Sequence, residues 1–354
     1  MRIIYFSYNP GVSTGAGPRK QMTFLLNGMV RYTDFDIQLI TKKGIKNNVQ
    51  EQFNEDVKIW DVIDLNPLKV MYSIKKCKEL LSDQDIVHVP LNVFQAVFVR
   101  FCFSGPIVVG DGMQPTNLSA FLLKSYIKPK HIFVANGGGF WLDRGFSCSS
   151  IYPAIDTEKY KPYSEEKIME IRKKIGISAN STAVLFVGEV SKRKGAHIFY
   201  NTFKDVLGYH KDIFPIIIGR GPLERLFKEE NDIHYIGPVR EEDLPIYYNI
   251  ADITLILSER DIHPIVGIES MACGTPVITT ARISKKEIGA LYLKCHRNRE
   301  SILESINHLM SDDELYNKQV KKGLSFVMEN CSLKKFVEIH MNLYKSIMDR
   351  YREK

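Results

Sequence analysis

Short apolar runs alternate with amphipathic segments along almost the whole chain of 354 residues. In the first half, the strand candidates are 3–8, 36–41, 57–62, 86–90, 106–110 and 131–135. Apolar residues at helical spacing occupy 18–32, 69–82 and 92–102, between those runs. Strands that alternate with helices predict a parallel sheet covered by helices on both faces.

The same pattern restarts after a turn-rich stretch at 152–162. The second half has a helical segment at 163–175 and strand candidates at 182–188, 214–219, 233–237, 253–257 and 275–279. The sequence therefore predicts an α/β protein of two Rossmann-like, doubly wound parallel-sheet domains, residues 1–158 and 163–332. A long amphipathic helix at about 333–354 is expected to pack back on the first domain. Ligands in such folds bind at the carboxyl ends of the strands, here in a cleft between the two domains.

Composition narrows the class of protein. Runs of eighteen apolar residues are absent, so no transmembrane helix is expected. The first apolar run is short and follows only Arg2, which predicts a strand and not a signal peptide. The six cysteines lack C-x-x-C spacing, which disfavours zinc and predicts thiols in a reducing, cytoplasmic compartment. A net charge of +7 permits phosphate-bearing ligands or anionic lipid, and no nucleic-acid-binding motif accompanies it.

A glycine-rich loop follows the first strand. Gly11, Gly15 and Gly17 are spaced G-x-x-x-G-x-G, which is typical of a dinucleotide-binding loop. A dehydrogenase also needs an acidic residue at the end of the second strand, to bind a ribose. That strand ends in Thr-Lys-Lys at 41–43, without a carboxylate. The pattern therefore disfavours a nicotinamide site, although the glycines still indicate a nearby phosphate.

Two loops of the second half carry cations or glycines. A strand ends at Gly188 and is followed by Lys192, Arg193 and Lys194, a charge pattern that suits a polyphosphate. The alternative is a solvated basic loop. In the segment 219–221, two glycines flank Arg220, which either admits a ligand to the backbone or forms an ordinary strand-to-helix turn.

The stretch DIHPIVGIESMACGTPVITT (261–280) is the most informative. Asp261 and Glu269 are eight positions apart, and a helix is predicted to begin near Ile265 or Val266. In the segment 264–266, the backbone N–H groups of Ile265 and Val266 are then free donors of a helix start. A carboxylate on that first turn can accept hydrogen bonds from a vicinal diol such as a ribose.

These stretches together resemble glycosyltransferase family 4, whose members are retaining enzymes with the GT-B fold. The family's G-x-x-x-x-x-K-G is matched from Gly188 to Gly195, and its G-x-G-P-L by GRGPL at 219–223. DLPIYYNIAD (243–252) and IESMACGTPVI (268–278) match two further motifs, and PAIDTEKYKP resembles the family's interdomain segment. The matches follow the family's order over about 150–280.

The resemblance implies a hexosyltransferase that moves a sugar from a UDP- or GDP-linked donor to an acceptor hydroxyl on a glycan, lipid or small molecule. It implies no metal, and no cofactor besides the sugar nucleotide as co-substrate. By this resemblance Lys194 pairs with the diphosphate, Glu269 binds the ribose and Asp261 lies near the transferred sugar. The remaining donor-binding candidates are Gly15, Gly17, Gly188, Lys192, Arg193, Arg220, Gly237, His263, Pro264, Ile265 and Val266.

In the first domain, the resemblance places the Gly15–Gly17 loop near the diphosphate. Asp111 and His88, each at a strand end, are candidates for contact with the reacting sugar. For His88 the alternative is a buried, hydrogen-bonded core histidine. The segment 121–131 mixes apolar and basic residues, so it either contacts a membrane or is a packed helix with a solvated end.

The sequence also departs from the family pattern. Glu189 stands where the family has an arginine, and Asp261 stands where it has a glutamate. Of the family's G-G-x-x-E, only Glu287 is retained. Two other functions therefore stay open, namely a GT-B sugar-nucleotide 2-epimerase and a binding protein that has lost catalysis.

Overall fold

The computed structural model describes residues 1–8, 17–81, 85–89, 93–110, 116–134, 139–204, 212–261, 264–283 and 286–353, and for residues 17–20 it describes the backbone only. These residues form two compact units. The first comprises Met1–Ala154 together with Leu333–Lys354, and the second comprises Ile155–Ser332.

The first unit contains seven strands in the described part of the chain. They are β1 (Arg2–Phe6), β2 (Asp36–Lys42), β3 (Lys58–Ile63), β4 (Ile86–Val89), β5 (Ile107–Val109), β6 (His131–Val134) and β7 (Cys148–Ser150). All pair in parallel, in the order β3–β2–β1–β4–β5–β6–β7. The central strand β1 pairs Ile3 with Ile37 on one side and with Ile86 on the other.

Helices cover both faces of this sheet. They are α1 (Gly17–Tyr32), α2 (Lys46–Val49), α3 (Val70–Leu80), α4 (Val93–Cys102), α5 (Asn117–Leu122), α6 (Gly139–Leu142) and the carboxyl-terminal α15 (Leu333–Arg352). A 3-10 turn spans Gln50–Gln52, and a π-helical turn continues α5 over Leu123–Ile127. Successive residues of a strand point to opposite faces, so Ile3 and Tyr5 enter one core and Ile4 and Phe6 the other.

The helix α15 belongs to the first unit and packs on α1. A Cβ atom at Gly28 would lie only 2.7 Å from Cγ2 of Val337, so the absence of a side chain there allows the two helices to approach closely. The Tyr344 hydroxyl lies 2.7 Å from the Tyr5 hydroxyl of β1. The helix α15 therefore covers the part of the core that lies against β1.

The second unit has its own parallel sheet. Its strands are β8 (Thr182–Val187), β9 (Ile213–Ile218), β10 (His234–Gly237), β11 (Ile253–Ile256), β13 (Val277–Thr279) and β15 (Leu293–Lys294), in the order β10–β9–β8–β11–β13–β15. A separate pair joins β12 (Arg260–Asp261) to β14 (Arg282–Ile283). The helices are α7 (Glu165–Ile175), α8 (Ala196–Phe203), α9 (Glu224–Lys228), α10 (Leu244–Ile250), α11 (Ile265–Ala272), α12 (Lys286–Gly289), α13 (Arg299–Ser311) and α14 (Asp313–Asn330).

The predicted α/β class with two parallel sheets is confirmed, and the predicted strands match the observed ones within about two residues. The sequence missed β7, β12, β14 and β15. These strands are two or three residues long and only partly buried, so they produce no apolar run that a sequence pattern can detect. Among the described helices, none has the length and apolar character needed to cross a bilayer.

Candidate functional site

The two most polar loops of the second unit meet at the ends of β8 and β11. Lys194 lies between β8 and α8, and its ammonium donates to Oδ2 of Asp261 at 2.9 Å. Both side chains are partly buried, with 32% of Lys194 and 17% of Asp261 exposed. The structure thus brings together two residues that the sequence selected independently, in a partly desolvated ion pair.

A small cavity of about 30 Å³ adjoins this ion pair. Lys194, Ser258, Asp261, Pro264 and Val266 are among its lining residues. Pro264 is the N-cap of α11, and no described side chain caps that helix. Since the first amides of a helix lack intrahelical partners, the start of α11 adds hydrogen-bond donors and positive potential beside the cavity.

Ser258 is a cavity residue that the sequence did not single out. Its side chain is 2% exposed, and its hydroxyl has no hydrogen-bond partner among the described residues. A buried hydroxyl without a partner costs free energy, so Ser258 is a candidate for contact with a ligand in this cavity. In the sequence, the signal that could have identified Ser258 is its position as a polar residue directly after the apolar run of β11.

The glycines after β8 and β9 bring two loops together. A Cβ atom at Gly219 would lie 1.8 Å from the carbonyl oxygen of Gly188, and one at Gly221 would lie 2.6 Å from that of Val190. Backbone hydrogen bonds join the loops, with the Val190 amide donating to the Arg220 carbonyl at 3.0 Å. The suggestion that Gly219 and Gly221 admit a ligand is therefore corrected, because the neighbouring backbone occupies that space.

Two other predicted glycines face more open surroundings. Gly188 has a φ of +146°, and a Cβ atom there would meet nothing within 4 Å. Gly237 has a φ of +78°, and a Cβ atom there would meet only the Tyr235 hydroxyl, at 4.0 Å. The space beside these two glycines is compatible with a ligand, and their assignment to the donor stays a prediction.

The predicted basic loop borders a second, larger cavity of about 590 Å³. Its lining residues are Lys192, Arg193, His197, Glu259, Arg260 and Arg297. Arg193 also pairs with Glu189, with 2.5 Å between Nη2 and Oε2. Glu189 therefore neutralises the charge of Arg193. It does not supply the positive charge that the family has at this position. Burial, followed by the charges of Arg297 and Lys192, lowers the pKa of His197.

Glu269 lies one turn inside α11 and is only 3% exposed. Its Oε2 accepts a hydrogen bond of 2.8 Å from the hydroxyl of Tyr248 in α10. Burial, followed by the charge of Glu269, raises the pKa of Tyr248 well above its ordinary value, so this hydroxyl stays a donor. The carboxylate of Glu269 is thus buried between α10 and α11 and is hydrogen-bonded there. The ribose contact stays a prediction.

His88 is enclosed in the core of the first unit. Its Nδ1 lies 2.6 Å from the Tyr344 hydroxyl, and its ring stacks on those of Phe133 and His340. Burial, followed by the charges of His340 and His131, lowers the pKa of His88 well below its usual value. The burial and the Nδ1 hydrogen bond of His88 favour the alternative interpretation of a core histidine, and its contact with the reacting sugar stays a prediction.

Several predicted residues lie elsewhere. Gly15, Asp111 and His263 fall outside the described residues. Gly17 is the first residue of α1. Arg220 is exposed in the turn after β9, while Ile265 and Val266 begin α11 and are partly buried. Among the described residues, no group of three or more His, Cys, Asp or Glu side chains is arranged to hold a metal ion.

Most of the second unit matches a known sequence family. Residues 167–326 match the model described as glycosyl transferases group 1. This segment of the chain is therefore similar to the group 1 glycosyltransferases. The Lys194–Asp261 pair, the Ser258 cavity and the start of α11 all lie within the matched segment.

The curated relatives of this chain have low sequence identity to it. YtcC of Bacillus subtilis (strain 168), a protein named as a glycosyltransferase, is 27% identical over 205 residues, which cover 50% of this chain and 49% of YtcC. The alpha-monoglucosyldiacylglycerol synthase of Streptococcus pneumoniae (strain ATCC BAA-255 / R6) is 28% identical over 155 residues, covering 40% of this chain and 35% of the synthase. The chain thus spans about half of the first relative and about a third of the second.

Solved structures show the fold over nearly the whole chain. Anabaena Alr3699/HepE in complex with UDP superposes with a TM-score of 0.77 at 14% identity, covering 98% of this chain and 100% of that one. The same protein with UDP-glucose has a TM-score of 0.72 at 15% identity, covering 98% of this chain and 100% of that one. The likeness confirms the GT-B fold that the sequence predicted.

Proposed function

We propose that this protein is a retaining hexosyltransferase that moves a sugar from a nucleoside-diphosphate sugar to an acceptor hydroxyl. The observation that carries the proposal is the Lys194–Asp261 pair beside the uncapped start of α11. The ammonium of Lys194 and the free amides at the start of α11 lie close together and are suited to binding a diphosphate. Both lie within the segment 167–326 that matches the group 1 glycosyltransferases.

Departure of the diphosphate is the step that these groups would assist. The bond between the anomeric carbon and the diphosphate oxygen breaks, and its electron pair leaves with the diphosphate. Lys194 and the amides of α11 offset the charge that develops on that oxygen. The acceptor oxygen forms the new bond on the same face of the sugar, and its proton passes to the departing phosphate.

The donor that we propose is a UDP-hexose. The HepE structures contain UDP or UDP-glucose, and the fold of this chain resembles them over 98% of its length. For the acceptor, the relatives' names indicate two chemistries, since one is a monoglucosyldiacylglycerol synthase and another is a D-inositol 3-phosphate glycosyltransferase. We propose a hydroxyl on a glycan, lipid or small molecule, transfer in the cytoplasm, and no requirement for a metal or cofactor.

The direct experiment incubates the protein with a panel of UDP-, GDP- and ADP-hexoses and measures nucleotide release and the anomeric configuration of the product. Lys194→Ala and Glu269→Ala should each lower turnover at least tenfold. Lys174→Ala is the matched control, because Lys174 pairs with Glu170 on the exposed surface of α7. Unchanged turnover in both site variants would show that the assigned site is wrong. Full activity with EDTA is expected, and its loss would contradict metal independence.

The same panel separates the other two functions. A 2-epimerase would convert the donor alone into a different sugar nucleotide, without an acceptor. A catalytically inactive binding protein would be stabilised by a nucleotide and would turn over no donor. Either outcome would replace the proposed transfer.

A further inference from the structure

The exposed apolar side chains of this protein are unevenly distributed. Fifteen large apolar side chains are exposed in the described part of the chain, and ten of them lie between Leu65 and Leu142 in the first unit. Among its described residues, the second unit exposes three, Met169, Leu226 and Met328. The two units have the same fold class and similar size, so the second unit is an internal reference for an ordinary solvated surface.

The helix α4 is apolar on both sides. Its sequence, VFQAVFVRFC, has only Gln95 and Arg100 as polar residues of any length. Ala96 and Val99 pack against the sheet and are fully buried, whereas Phe94 and Phe101 are 67% and 59% exposed. A helix that is apolar all round is normally buried on all sides, so the outer side of α4 lacks the cover that its composition indicates.

The neighbouring helix continues this surface. Leu118 and Phe121, one turn apart on α5, are 60% and 64% exposed. Tyr126 of the π-helical turn lies with its ring centroid 5.5 Å from that of Phe101. We call Phe94, Phe101, Leu118, Phe121 and Tyr126 the α4–α5 face.

Arg100 holds the two helices of this face in register. Its Nε and Nη2 donate to the Ile127 carbonyl at 3.0 and 2.7 Å, and its Nη1 donates to the carbonyls of 103–105 at 2.9 to 3.2 Å. The guanidinium thereby joins the end of α4 to the end of the π-helical turn. These bonds fix the backbone positions of the two helices that carry the α4–α5 face.

The charges around this surface are mostly positive. From 85 to 144 the sequence contains three acidic residues, Asp85, Asp111 and Asp143, and five lysines or arginines. Lys124 within the π-helical turn, and Lys128 and Lys130 directly after it, are exposed, whereas Asp85 is buried and pairs with Arg2. Aromatic and aliphatic side chains beside lysines, with few carboxylates, complement the apolar interior and the negative surface of an anionic bilayer.

We propose that the α4–α5 face docks the protein on an anionic lipid bilayer, with its apolar side chains entering the headgroup boundary and Lys124, Lys128 and Lys130 meeting the phosphates. Tyr126 suits this boundary because its ring is apolar and its hydroxyl is polar. The inference concerns a surface and not the transfer reaction, so vesicle binding tests it without any donor or acceptor.

The test is flotation of the full chain with vesicles of phosphatidylcholine alone or mixed equally with phosphatidylglycerol. Binding should be strong only to the anionic vesicles and should weaken as salt rises, because salt screens the lysines. The double variant Leu118→Ser with Phe121→Ser should bind at least tenfold more weakly, because it lacks two apolar side chains that the bilayer would bury. Lys124→Gln with Lys128→Gln should also weaken binding about tenfold and reduce its salt dependence.

Matched controls come from the second unit. Met169→Ser with Met328→Ser removes two side chains of similar exposure, 59% and 58%, and Lys321→Gln with Lys322→Gln removes two exposed lysines. Neither should change vesicle binding. Because all replaced side chains are exposed, the thermal unfolding midpoints should stay near that of the unchanged protein, which excludes misfolding as a cause.

Three results would overturn the proposal. The first is no flotation of the unchanged protein with anionic vesicles at low salt. The second is equal losses in the face variants and their controls. The third is a concentration-dependent dimer in sedimentation velocity that the Leu118→Ser, Phe121→Ser variant abolishes, since a second copy would then cover the face.

Discussion

Lys194 and Asp261 form an ion pair with 2.9 Å between Nζ and Oδ2, although 67 positions separate them in the sequence. The ammonium proposed to bind the donor diphosphate is therefore already partly neutralised by a carboxylate. Under the proposed function, a diphosphate would have to compete with Asp261 for this cation. The pair would then set the strength of nucleotide binding as well as the position of Lys194.

Replacing Asp261 with asparagine should have opposite effects on binding and on transfer. Removal of the competing carboxylate frees Lys194, so the affinity for UDP should rise about fivefold, equivalent to about 1 kcal/mol for a partly exposed ion pair. Transfer should fall, since Asp261 is proposed to lie beside the sugar. Calorimetric titration with UDP and a turnover assay measure the two effects. Glu170→Gln, which frees Lys174 on the surface of α7, should change neither. Weaker UDP binding by the Asp261 variant would contradict the competition.

Ser258→Ala should stabilise the free protein and weaken its response to nucleotide. The unsatisfied buried hydroxyl costs about 1–2 kcal/mol, so its removal should raise the unfolding midpoint by a few degrees. The further rise on adding UDP should become smaller, because a ligand contact is lost. Thermal unfolding with and without UDP tests both effects.

The matched control for Ser258 is Thr202 in α8. Its hydroxyl is also buried and has no partner among the described residues, and it is not among the residues that line the cavity. Thr202→Val should stabilise the protein and leave the UDP-induced rise intact. If both variants lose the same part of that rise, Ser258 has no special contact with the ligand.

Gly219→Ala should strongly destabilise the second unit. The new methyl group would lie 1.8 Å from the Gly188 carbonyl oxygen, at a backbone φ of +134° that only glycine adopts easily. We expect a loss of about 3 kcal/mol or more in the free energy of unfolding, measured by circular dichroism in urea. Gly176→Ala is the control, since its φ is also positive but its Cβ would meet nothing within 4 Å, and its cost should be about 1 kcal/mol.

The first unit should lose stability in acid. Burial lowers the pKa of His340 and of His131 to about 4, below the ordinary value of about 6.5. Between these values the unfolded chain binds protons that the folded chain does not, so the free energy of unfolding decreases as pH falls from about 6.5 to about 4. At pH 5 the loss should be about 2 kcal/mol for His340.

Tryptophan fluorescence measures this effect selectively, because Trp60 and Trp141, the two tryptophans of the chain, both lie in the first unit. Urea unfolding at pH 7 and pH 5 gives the difference. His340→Leu should remove part of the pH dependence, whereas replacing the exposed His296 of the second unit with glutamine should leave it unchanged. Equal pH dependence in all three proteins would show that the pKa of His340 is the same in the folded and in the unfolded state.

Local patterns predicted most of the elements because their causes are local. Apolar residues at a period of two or 3.6 determine whether a segment forms a strand or a helix, and 333–352 was predicted as the long helix that is observed. The short strands β12 and β14 were missed, because two residues carry no period. The start of α11 was predicted near Ile265 or Val266, and the helix begins at Ile265.

The sequence by itself determined that this chain forms two α/β units, and its ordered motifs indicated the family of the second. Only the tertiary structure decided which candidates meet. The Tyr344 hydroxyl contacts His88, which is 256 positions away in the sequence, and His88 lies buried in the core of the first unit. The Tyr248 hydroxyl likewise donates a hydrogen bond to the buried Glu269. Lys194 meets Asp261 because β8 and β11 are neighbours in one parallel sheet. Secondary structure depends on nearby residues, whereas burial and pairing depend on how distant elements pack.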